Sequence, residues 1–578
     1  MTILEKNIQA LLSGVNEPLG NKLLNFIQNK TCSRFNIDEN LNIFDKTHNV
    51  FMYENLEEEI NFFYQSILEK TPRYPFICIY GIGNALLIKN LAKHYKHLFV
   101  FESEIELFIL ALSTIDLSEE LCSGKIYLVD IKEERVDIQL LILFDMKDMF
   151  EYLSLYEMFV NNSFYKQFCE KTWCETDEFC KKNIEIVIRD SGLNSNLSFQ
   201  SYFHFLQNIP SMLESIPFQR ILSQRKNKFD NAIVVSAGPS LAKQLPLLKA
   251  CQDKAVIFCA DGALSMLEKE GIVPDYVTNL DFTDLAMKFF QNKENKTSLN
   301  ILSCATHPNV AHSLKAENCM IVLRNKALYQ RFNFNDFGYI DTGTHVSHFS
   351  YTLALALGFK NIIMIGQDLA FDEEGNSHSK GFDFGEKFSG EENIDKLKIP
   401  AYAGKGEVLT HTTWNDYRIK LEYLFACNDQ KAKFYNATEG GARINFTEEL
   451  SFKECCEKLL TKEKPKFELP KSLTKNRSDK LLVKFKEKIQ KDQENAKRFL
   501  DDALALKQIL ENILSKDFIL PLEFLEKVYQ NIENFNHSLD EDEFIQDEVL
   551  RGAFAYRGKL ISDVLKLHIK DETHFITA

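Results

Sequence analysis

The chain has 578 residues, of which 45% are hydrophobic and 26% charged, and its formal net charge is −15 at pH 7. This length exceeds what one hydrophobic core can organise and predicts about two to four globular domains. Such an acidic chain disfavours nonspecific binding to nucleic acid and to anionic membrane surfaces, so neither is expected as a partner.

The cysteines and the first residues bear on the cellular compartment. Thirteen cysteines are scattered along the chain, and no C-x-x-C spacing of a zinc site occurs. The opening stretch MTILEKNIQALLSG carries charges inside its apolar pattern, which is typical of an amphipathic helix and not of an export signal. No apolar run approaches transmembrane length. We therefore expect a cytoplasmic protein with reduced thiols and no membrane insertion.

The N-terminal region, residues 1–220, contains the pattern of a Rossmann-like fold. An apolar run over Phe76–Tyr80 leads into the turn Gly81-Ile82-Gly83-Asn84, and the next apolar run ends at Glu102. A glycine-rich first turn and an acidic residue closing the second strand are typical of nucleotide-binding and methyl-donor-binding folds. The same glycines also permit a tight turn without any ligand, and we favour this second interpretation. Further apolar runs at 125–129 and 138–144 predict strands.

The central region, residues 221–447, repeats a unit of strand, tight loop and helix. Apolar runs at 232–235, 255–260 and 276–280 read as buried parallel strands. Small or acidic residues follow each of them, and ligands of open α/β sheets bind at the carboxyl ends of the strands. We therefore expect one crevice to contain Gly238, Ser240, Asp261, Asn279 and Asp281.

The turn after the first of these strands suits an anion. Gly238-Pro239-Ser240 lacks the continuation of a Walker A loop and the remaining glycines of a dinucleotide fingerprint. A backbone turn at a helix N-terminus is nevertheless an anion site, in which Ser240 would cap the helix or donate to a phosphate. A capped turn without a ligand is the alternative.

Two further stretches carry candidate site residues. Thr342-Gly343-Thr344-His345 opens a predicted helix and suits a carboxylate or a phosphate, although His345 and His348 equally fit as partly buried histidines. A strand at 361–365 ends in Gly366-Gln367-Asp368, and the polar loop beyond it contains His378. A loop histidine is either a candidate general base or simply solvent-exposed. Residues 384–410 are predicted to form a long loop.

The region from 448 to 578 is predicted to be a helical domain. Its stretch KLLVKFKEKIQKDQENAKRFLDDALALKQILENIL has a heptad-like apolar pattern with charges on the outward positions. The expected fold class is therefore α/β, with a Rossmann-like central catalytic domain between an α/β N-terminal domain and a C-terminal helical bundle.

Three blocks in the central region resemble one protein family. IVVSAGPSL, CADGALSMLEKEGIVPDYVTNLDF and GTHVSHFSYTLALALGFKNIIMIGQDLAFDEEGNSHSKG are similar to the motility-associated factor (Maf) flagellin glycosyltransferases. That family shares its central domain with archaeal pterin diphosphokinases, and the blocks also resemble bacterial CMP-sialic acid sialyltransferases. The resemblance covers roughly residues 200–450, and the order of the three blocks is more specific than any one of them.

The resemblance implies an activity, its partners and the roles of particular residues. It implies transfer of pseudaminic or legionaminic acid from the CMP-activated sugar to Ser or Thr of flagellin, for flagellar assembly and motility. No cofactor is required, although a divalent cation such as Mg²⁺ is compatible with it. Catalysis would fall to His378, with Asp281 as a further candidate. The implied donor-binding residues are Gly238, Pro239, Ser240, Asp261, Gly262, Asn279, Thr342, Gly343, Thr344, His345, Gln367 and Asp368.

The sequence departs from the sialyltransferase pattern at one position, and two alternative functions stay open. Asp261 stands where the sialyltransferases have an asparagine, and the added negative charge suits ribose hydroxyls or a bound cation better than phosphate. A metal-dependent pterin-type diphosphokinase would use Asp261 and Asp281 as Mg²⁺ ligands. A non-catalytic chaperone that binds flagellin is the second alternative.

Overall fold

The computed structural model describes residues 2–14, 16–133, 135–191, 195–290, 298–388, 395–515, 521–541 and 551–566. The chain divides into two compact units, Met1–Leu193 with Arg551–Ala578, and Asn194–Leu550. The sequence-predicted boundaries at 220 and 447 both fall inside the second unit, and their role as limits of independently folding domains stays a prediction. No helix among the described residues is both long and apolar enough to span a membrane.

The first unit contains a small parallel sheet between helices. Its strands are β1 (Phe35–Ile37), β2 (Ile43–Asp45), β3 (Val50–Phe51), β4 (Phe76–Tyr80), β5 (His97–Glu102), β6 (Ile126–Asp130) and β7 (Met158–Val160). Strands β1–β3 form an antiparallel sheet, and the parallel sheet has the order β6-β5-β4-β7. Its helices are α1 (Ile3–Leu12), α2 (Glu17–Asn29), α3 (Leu56–Lys70), α4 (Leu86–Leu91), α5 (Ile105–Thr114), α6 (Ser118–Cys122), α7 (Val136–Asp145), α8 (Lys147–Phe150), α9 (Ser163–Phe168) and α10 (Glu170–Ser191), with a further helix at Arg551–Leu565.

The second unit is built on a nine-stranded sheet. Its strands are β8 (Asn231–Val235), β9 (Val256–Ala260), β10 (Tyr276–Asn279), β11 (Leu299–Ser303), β12 (Cys319–Arg324), β13 (Tyr339–Ile340), β14 (Asn361–Ile365), β15 (Lys396–Pro400), β16 (Glu407–His411), β17 (Lys433–Asn436) and β18 (Glu448–Glu449). The order β13-β12-β11-β10-β9-β8-β14-β17-β18 is parallel throughout, and β15 and β16 form a separate antiparallel hairpin. The strand order reverses between β8 and β14.

Helices cover both faces of this sheet. They are α11 (Ser195–Glu214), α12 (Phe218–Arg225), α13 (Leu241–Cys251), α14 (Leu264–Lys269), α15 (Ala286–Phe290), α16 (Pro308–Ser313), α17 (Ala327–Gln330), α18 (Val346–Ala356), α19 (Thr412–Ala426), α20 (Phe452–Lys458), α21 (Lys475–Leu514) and α22 (Leu522–Glu541). Successive residues of a strand point to opposite faces, so Val234 packs into one buried cluster and Ile233 and Val235 into the other. This two-sided burial explains why the strands read as continuous apolar runs and confirms the predicted Rossmann-like α/β class.

Two sequence-based predictions of secondary structure are wrong. Residues 138–144, predicted as a strand, belong to α7, because a short apolar run rich in leucine fits a buried helix as well as a strand. The predicted loop at 384–410 contains the hairpin of β15 and β16. Residues 389–394 of that stretch lie outside the described residues. Gly404 and Gly406, both with positive φ, lie between its two strands, and they are a turn signal that the sequence analysis did not use.

Candidate functional site

A pocket of about 220 Å³ lies at the carboxyl ends of β8, β9 and β14. The strand order reverses between β8 and β14, and such a reversal is where open α/β sheets form their ligand crevices. The starts of α18 and α19 and the loop around residue 378 complete the walls. The lining residues are Ser236, Ala237, Gly238, Ala260, Asp261, Gly262, Phe289, His345, Val346, Ser347, Gly366, Gln367, Asp368, Leu369, Ser377, His378, Phe382, Trp414 and Tyr417.

The structure brings together only some of the sequence-predicted site residues. Those that line the pocket are Gly238, Asp261, Gly262, His345, Gln367, Asp368 and His378. Those that do not line it are Pro239, Ser240, Asn279, Asp281, Thr342, Gly343 and Thr344. The functional roles of both groups stay predictions.

The turn predicted to bind an anion already holds a carboxylate of the chain itself. Ser240 precedes α13, and its hydroxyl donates to Asp368 Oδ2 over 2.7 Å. The Ser240 N–H donates to both oxygens of the same carboxylate, over 3.2 and 3.3 Å. Burial raises the pKa of Asp368 to about 6, although the Ser240 contacts favour its ionised form. The hydrogen-bond donors of Ser240 at the start of α13 are therefore already occupied by Asp368, which follows β14.

A second carboxyl group lies buried in the pocket wall. Asp261 is 4% exposed and follows β9. Its Oδ2 accepts a hydrogen bond from Asn279 Nδ2 over 2.5 Å, and its Oδ1 accepts one from the Gly262 N–H over 2.7 Å. Burial raises the pKa of Asp261 to about 7 against these two donors, and the nearby Asp281 also raises it. Asp261 therefore titrates close to neutral pH. Asn279 positions Asp261 from behind the pocket.

The start of α18 presents neutral hydrogen-bond donors to the pocket. Val346 and Ser347 line the pocket, and their N–H groups make no hydrogen bond to any described residue. His345 Nδ1 accepts from the His348 N–H over 3.3 Å, so the proton of the neutral ring is on Nε2. That Nε2 is buried without a protein partner in the described structure. Burial lowers the pKa of His345 well below its usual value, which keeps the ring neutral.

The orientation of the Gln367 amide is fixed by its neighbours. Ser236 Oγ donates to Gln367 Oε1 over 2.9 Å, and the Tyr351 hydroxyl donates to the same oxygen over 3.3 Å. In the structure the amide oxygen faces these two hydroxyls and the NH₂ group faces away from them. Gln367 Nε2 makes no hydrogen bond with any described residue, and Gln367 lines the pocket. Its amide therefore adds another neutral donor beside the start of α18.

Aromatic side chains form another part of the pocket lining. His378 is stacked on Phe382 with a centroid distance of 3.9 Å, and its Nδ1 lies 2.9 Å from Ser377 Oγ. Burial lowers the pKa of His378 to about 4. On the α19 side, Tyr417 is 4.7 Å from the His345 ring, and Trp414 lies beside it in the pocket lining. Sequence reasoning missed Trp414 and Tyr417, since the stretch HTTWNDY that contains them matches no known motif.

Other predicted residues shape the neighbouring turns. Asp281 Oδ1 accepts from the Thr283 N–H over 2.8 Å, and Asp341 Oδ1 accepts from the Gly343 N–H over 3.0 Å. Gly343 has φ +60 and packs against the ring of His348, so a larger residue would not fit there. The contacts of Asp341 and Gly343 support the start of α18, whereas the contact of Asp281 shapes the turn after β10; neither set contributes to the pocket lining.

In the first unit, side chains fill the glycine-rich turn after β4. The Ile82 N–H donates to Glu102 Oε2 over 3.2 Å, and the Gly83 N–H donates to the Tyr165 hydroxyl over 3.1 Å. The Asn84 N–H donates to the Tyr53 hydroxyl over 3.2 Å, and Tyr165 itself donates to Glu102 over 2.6 Å. The backbone donors that would bind a phosphate are thus used within the unit, which supports the structural interpretation of this turn.

We expect Gly83→Ala to lower stability without affecting the central pocket. Gly83 has φ +55, and an added Cβ would lie 2.8 Å from Asn161 Oδ1 and even closer to the Tyr53 hydroxyl. The strain and the clash should cost about 2 kcal/mol or more, measured by chemical unfolding. A Gly83→Ala variant that unfolds at the same denaturant concentration as the wild-type protein would contradict this expectation.

Comparison with known proteins gives two matches. Residues 203–374 match the family model described as MptE-like, 6-hydroxymethylpterin diphosphokinase MptE-like. The whole chain is also similar to the solved structure of a MAf glycosyltransferase from Magnetospirillum magneticum AMB-1, with 15% identity, coverage of 100% of this chain and 99% of that chain, and a TM-score of 0.45. No curated protein matches the chain. The residues matched by the family model, 203–374, fall within residues 200–450, where the sequence blocks predict a domain shared with pterin diphosphokinases.

Proposed function

We propose that this protein is a glycosyltransferase that moves pseudaminic or legionaminic acid from a CMP-activated donor to Ser or Thr of flagellin, for flagellar assembly and motility. The observation that carries the proposal is the pocket at the strand reversal. It combines a set of neutral anion donors with a buried carboxyl group that titrates near neutral pH. The three sequence blocks that resemble Maf proteins and sialyltransferases supply these same walls.

The donor set suits a sugar nucleotide of this kind. A CMP-activated nonulosonic acid carries one phosphate and one carboxylate, and the described pocket lining contains no lysine or arginine. The free N–H groups of Val346 and Ser347, with His345 Nε2 and Gln367 Nε2, would bind one of these anions at the positive end of the α18 dipole. Trp414 and Tyr417 would pack against the flat or apolar parts of the donor.

The chemistry requires a proton acceptor for the attacking hydroxyl. In an inverting displacement, the acceptor oxygen bonds to the anomeric carbon, the bond from that carbon to the phosphate oxygen breaks, and CMP leaves with the electron pair. The hydroxyl proton passes to a base, whose pKa works best near the operating pH. Asp261, at about 7, meets this requirement, whereas His378, at about 4, is a much weaker base. We therefore propose Asp261 for this role and His378 as a wall residue, in place of the sequence-based assignment.

We expect Gln367→Glu to weaken CMP binding at least about tenfold. The substitution keeps the shape and the oxygen that accepts from Ser236 and Tyr351, but it replaces the amide donor by a charged acceptor facing an anion. The measurement is isothermal titration with CMP, with the unfolding midpoint as the control for folding. Equal CMP affinity in the folded variant would remove Gln367 from the donor site.

The match to the pterin diphosphokinase model favours the alternative that this protein is a metal-dependent diphosphokinase. The geometry of the pocket bears on that alternative. That reaction would need Asp261 and Asp281 to share a cation, but Asp281 does not line the pocket and Asp261 already accepts two hydrogen bonds. This geometry supports the transferase over the diphosphokinase.

One experiment separates the proposed activity from its alternatives. Unmodified flagellin is incubated with the protein and either CMP-pseudaminic or CMP-legionaminic acid, and its intact mass is measured. The proposal expects a mass increase of one nonulosonic acid residue per modified site. A parallel thermal-shift series with CMP, CDP, ATP and a hydroxymethylpterin tests the diphosphokinase. Flagellin binding without any mass change would favour a chaperone.

A further inference from the structure

The first half of α21 carries an exposed cluster of lysines in an otherwise acidic chain. Residues 475–491 contain seven lysine or arginine residues and two acidic residues, whereas the chain as a whole has a net charge of −15. Within it, Lys480, Lys484, Lys488 and Lys491 recur at helical spacing and share one face of α21. They extend over about 16 Å of helix. We call these four residues the lysine stripe.

The lysine stripe has no partner within the described part of the chain. All four side chains are exposed. None forms an ion pair with a described carboxylate, whereas Arg477, just before them, pairs with Asp336 across 2.5 Å. Four like charges at this spacing repel one another and lower helix stability slightly. Binding of an anionic surface would relieve this repulsion.

The packing of α21 determines which of its sides is exposed. Phe485 is buried against the body of the unit and Ile489 packs beside it, so the apolar side of the helix is already used. The lysine stripe therefore projects from a docked helix and offers charge without an apolar face for insertion into a lipid surface. Its charges act only over about 8 Å at physiological ionic strength.

We propose that the lysine stripe is the docking surface for an acidic face of the acceptor protein. This inference rests on the proposed function, since a pocket of about 220 Å³ cannot enclose a protein surface, which must bind elsewhere on the enzyme. A compact acidic patch matches a short cationic stripe. A long polyanion such as nucleic acid would extend past the stripe and meet the negative charge of the remaining chain.

The test measures binding of unmodified flagellin to the full-length protein without any sugar donor. The variant reverses Lys480→Glu, Lys484→Glu and Lys488→Glu. The matched control reverses Lys475→Glu, Lys486→Glu and Lys497→Glu, which are exposed residues on the opposite side of the same helix. Both variants change the net charge equally. Circular dichroism and CMP titration check that helix and pocket are intact.

We expect the stripe variant to bind flagellin at least about tenfold more weakly at low salt, and the control to stay within about twofold of wild type. Wild-type affinity should fall as salt rises from about 50 to 300 mM, and the stripe variant should lose that dependence. Equal affinities in both variants would overturn the proposal. Tighter binding of wild-type protein to phosphatidylserine vesicles or to DNA than to flagellin would also overturn it.

The experiments distinguish failure of the docking surface from failure of the proposed transferase activity. Salt-dependent flagellin binding that is lost in the stripe variant, with no sugar transfer by the wild-type protein, would sustain the docking surface and refute the transferase. Transfer at wild-type rates by the stripe variant at low flagellin concentration would sustain the transferase and refute the docking surface.

Discussion

Replacing Asp261 by asparagine should lower sugar transfer by about a hundred- to ten-thousand-fold while leaving CMP affinity within severalfold. Asparagine has nearly the shape of the carboxyl group but cannot accept the proton of an attacking hydroxyl. The Asn279 side chain can adapt to the change, because its Oδ1 has no hydrogen-bond partner in the described structure. Rotation of that amide would let the new NH₂ group donate to Asn279 while its oxygen still accepts from Gly262.

The same substitution should make the protein more stable at neutral pH. The pKa of Asp261 is raised from 3.8 to about 7 in the folded protein, so folding opposes its ionisation. As pH rises from about 4 to about 7, the unfolded chain loses this proton and the folded one retains it, so wild-type stability falls through that window. The pKa difference sets an upper limit of about 4 kcal/mol at pH 7 and above. Below pH 4, the advantage of Asp261→Asn should vanish in urea unfolding experiments.

The pH dependence of transfer distinguishes Asp261 from His378 as the base. A base acts in its deprotonated form, so a rate that depends on Asp261 falls as pH drops below about 7. A rate that depends on His378 would stay constant until pH approaches 4. The matched control is His378→Ala, for which we expect at most a severalfold loss and an unchanged acid limb. A large loss in His378→Ala with a flat profile above pH 5 would assign the base to His378.

Local sequence signals predicted the sheet well because its strands are buried on both faces. The runs at β8, β9, β10 and β14 are continuously apolar, and each ends in a small or polar residue at the same edge. These signals suffice to bring Gly238, Asp261 and Gln367 to one crevice.

The remaining features of the pocket depend on contacts between distant segments. Asp368 reaches the start of α13 from a strand that follows it by more than a hundred residues, and the sequence gives no sign of this pairing. Trp414 and Tyr417 enter the pocket from α19, after the hairpin that the sequence analysis took for a loop. Burial raises the pKa of Asp261 above that of His378. The depth of burial of these two side chains cannot be deduced from the spacing of residues in the sequence.

Gly238→Val should strongly destabilise the second unit, for a reason that differs from the one its sequence suggests. From its sequence, Gly238 belongs to a turn that is predicted to bind an anion. In the structure, an added Cβ would overlap Asp368 Oδ2 and lie 2.5 Å from the carbonyl oxygen of Gly366. Gly238→Val should therefore disrupt the contact between the ends of β8 and β14 and destabilise the protein by about 3 kcal/mol or more. Chemical unfolding measures this loss, and CMP affinity should fall only as the folded fraction falls.

A matched control lies on the other side of the same carboxylate. A Cβ at Gly440 would lie 3.6 Å from Asp368 Oδ1 and 3.6 Å from the Ser240 Cβ, which is ordinary van der Waals contact. Gly440→Ala should therefore change the unfolding free energy by less than about 1 kcal/mol. If Gly238→Val instead unfolds like the wild-type protein but no longer binds CMP, the turn contacts the donor directly. The carboxylate of Asp368 must then leave the start of α13 when the donor binds, because a phosphate and a carboxylate cannot share the same backbone donors.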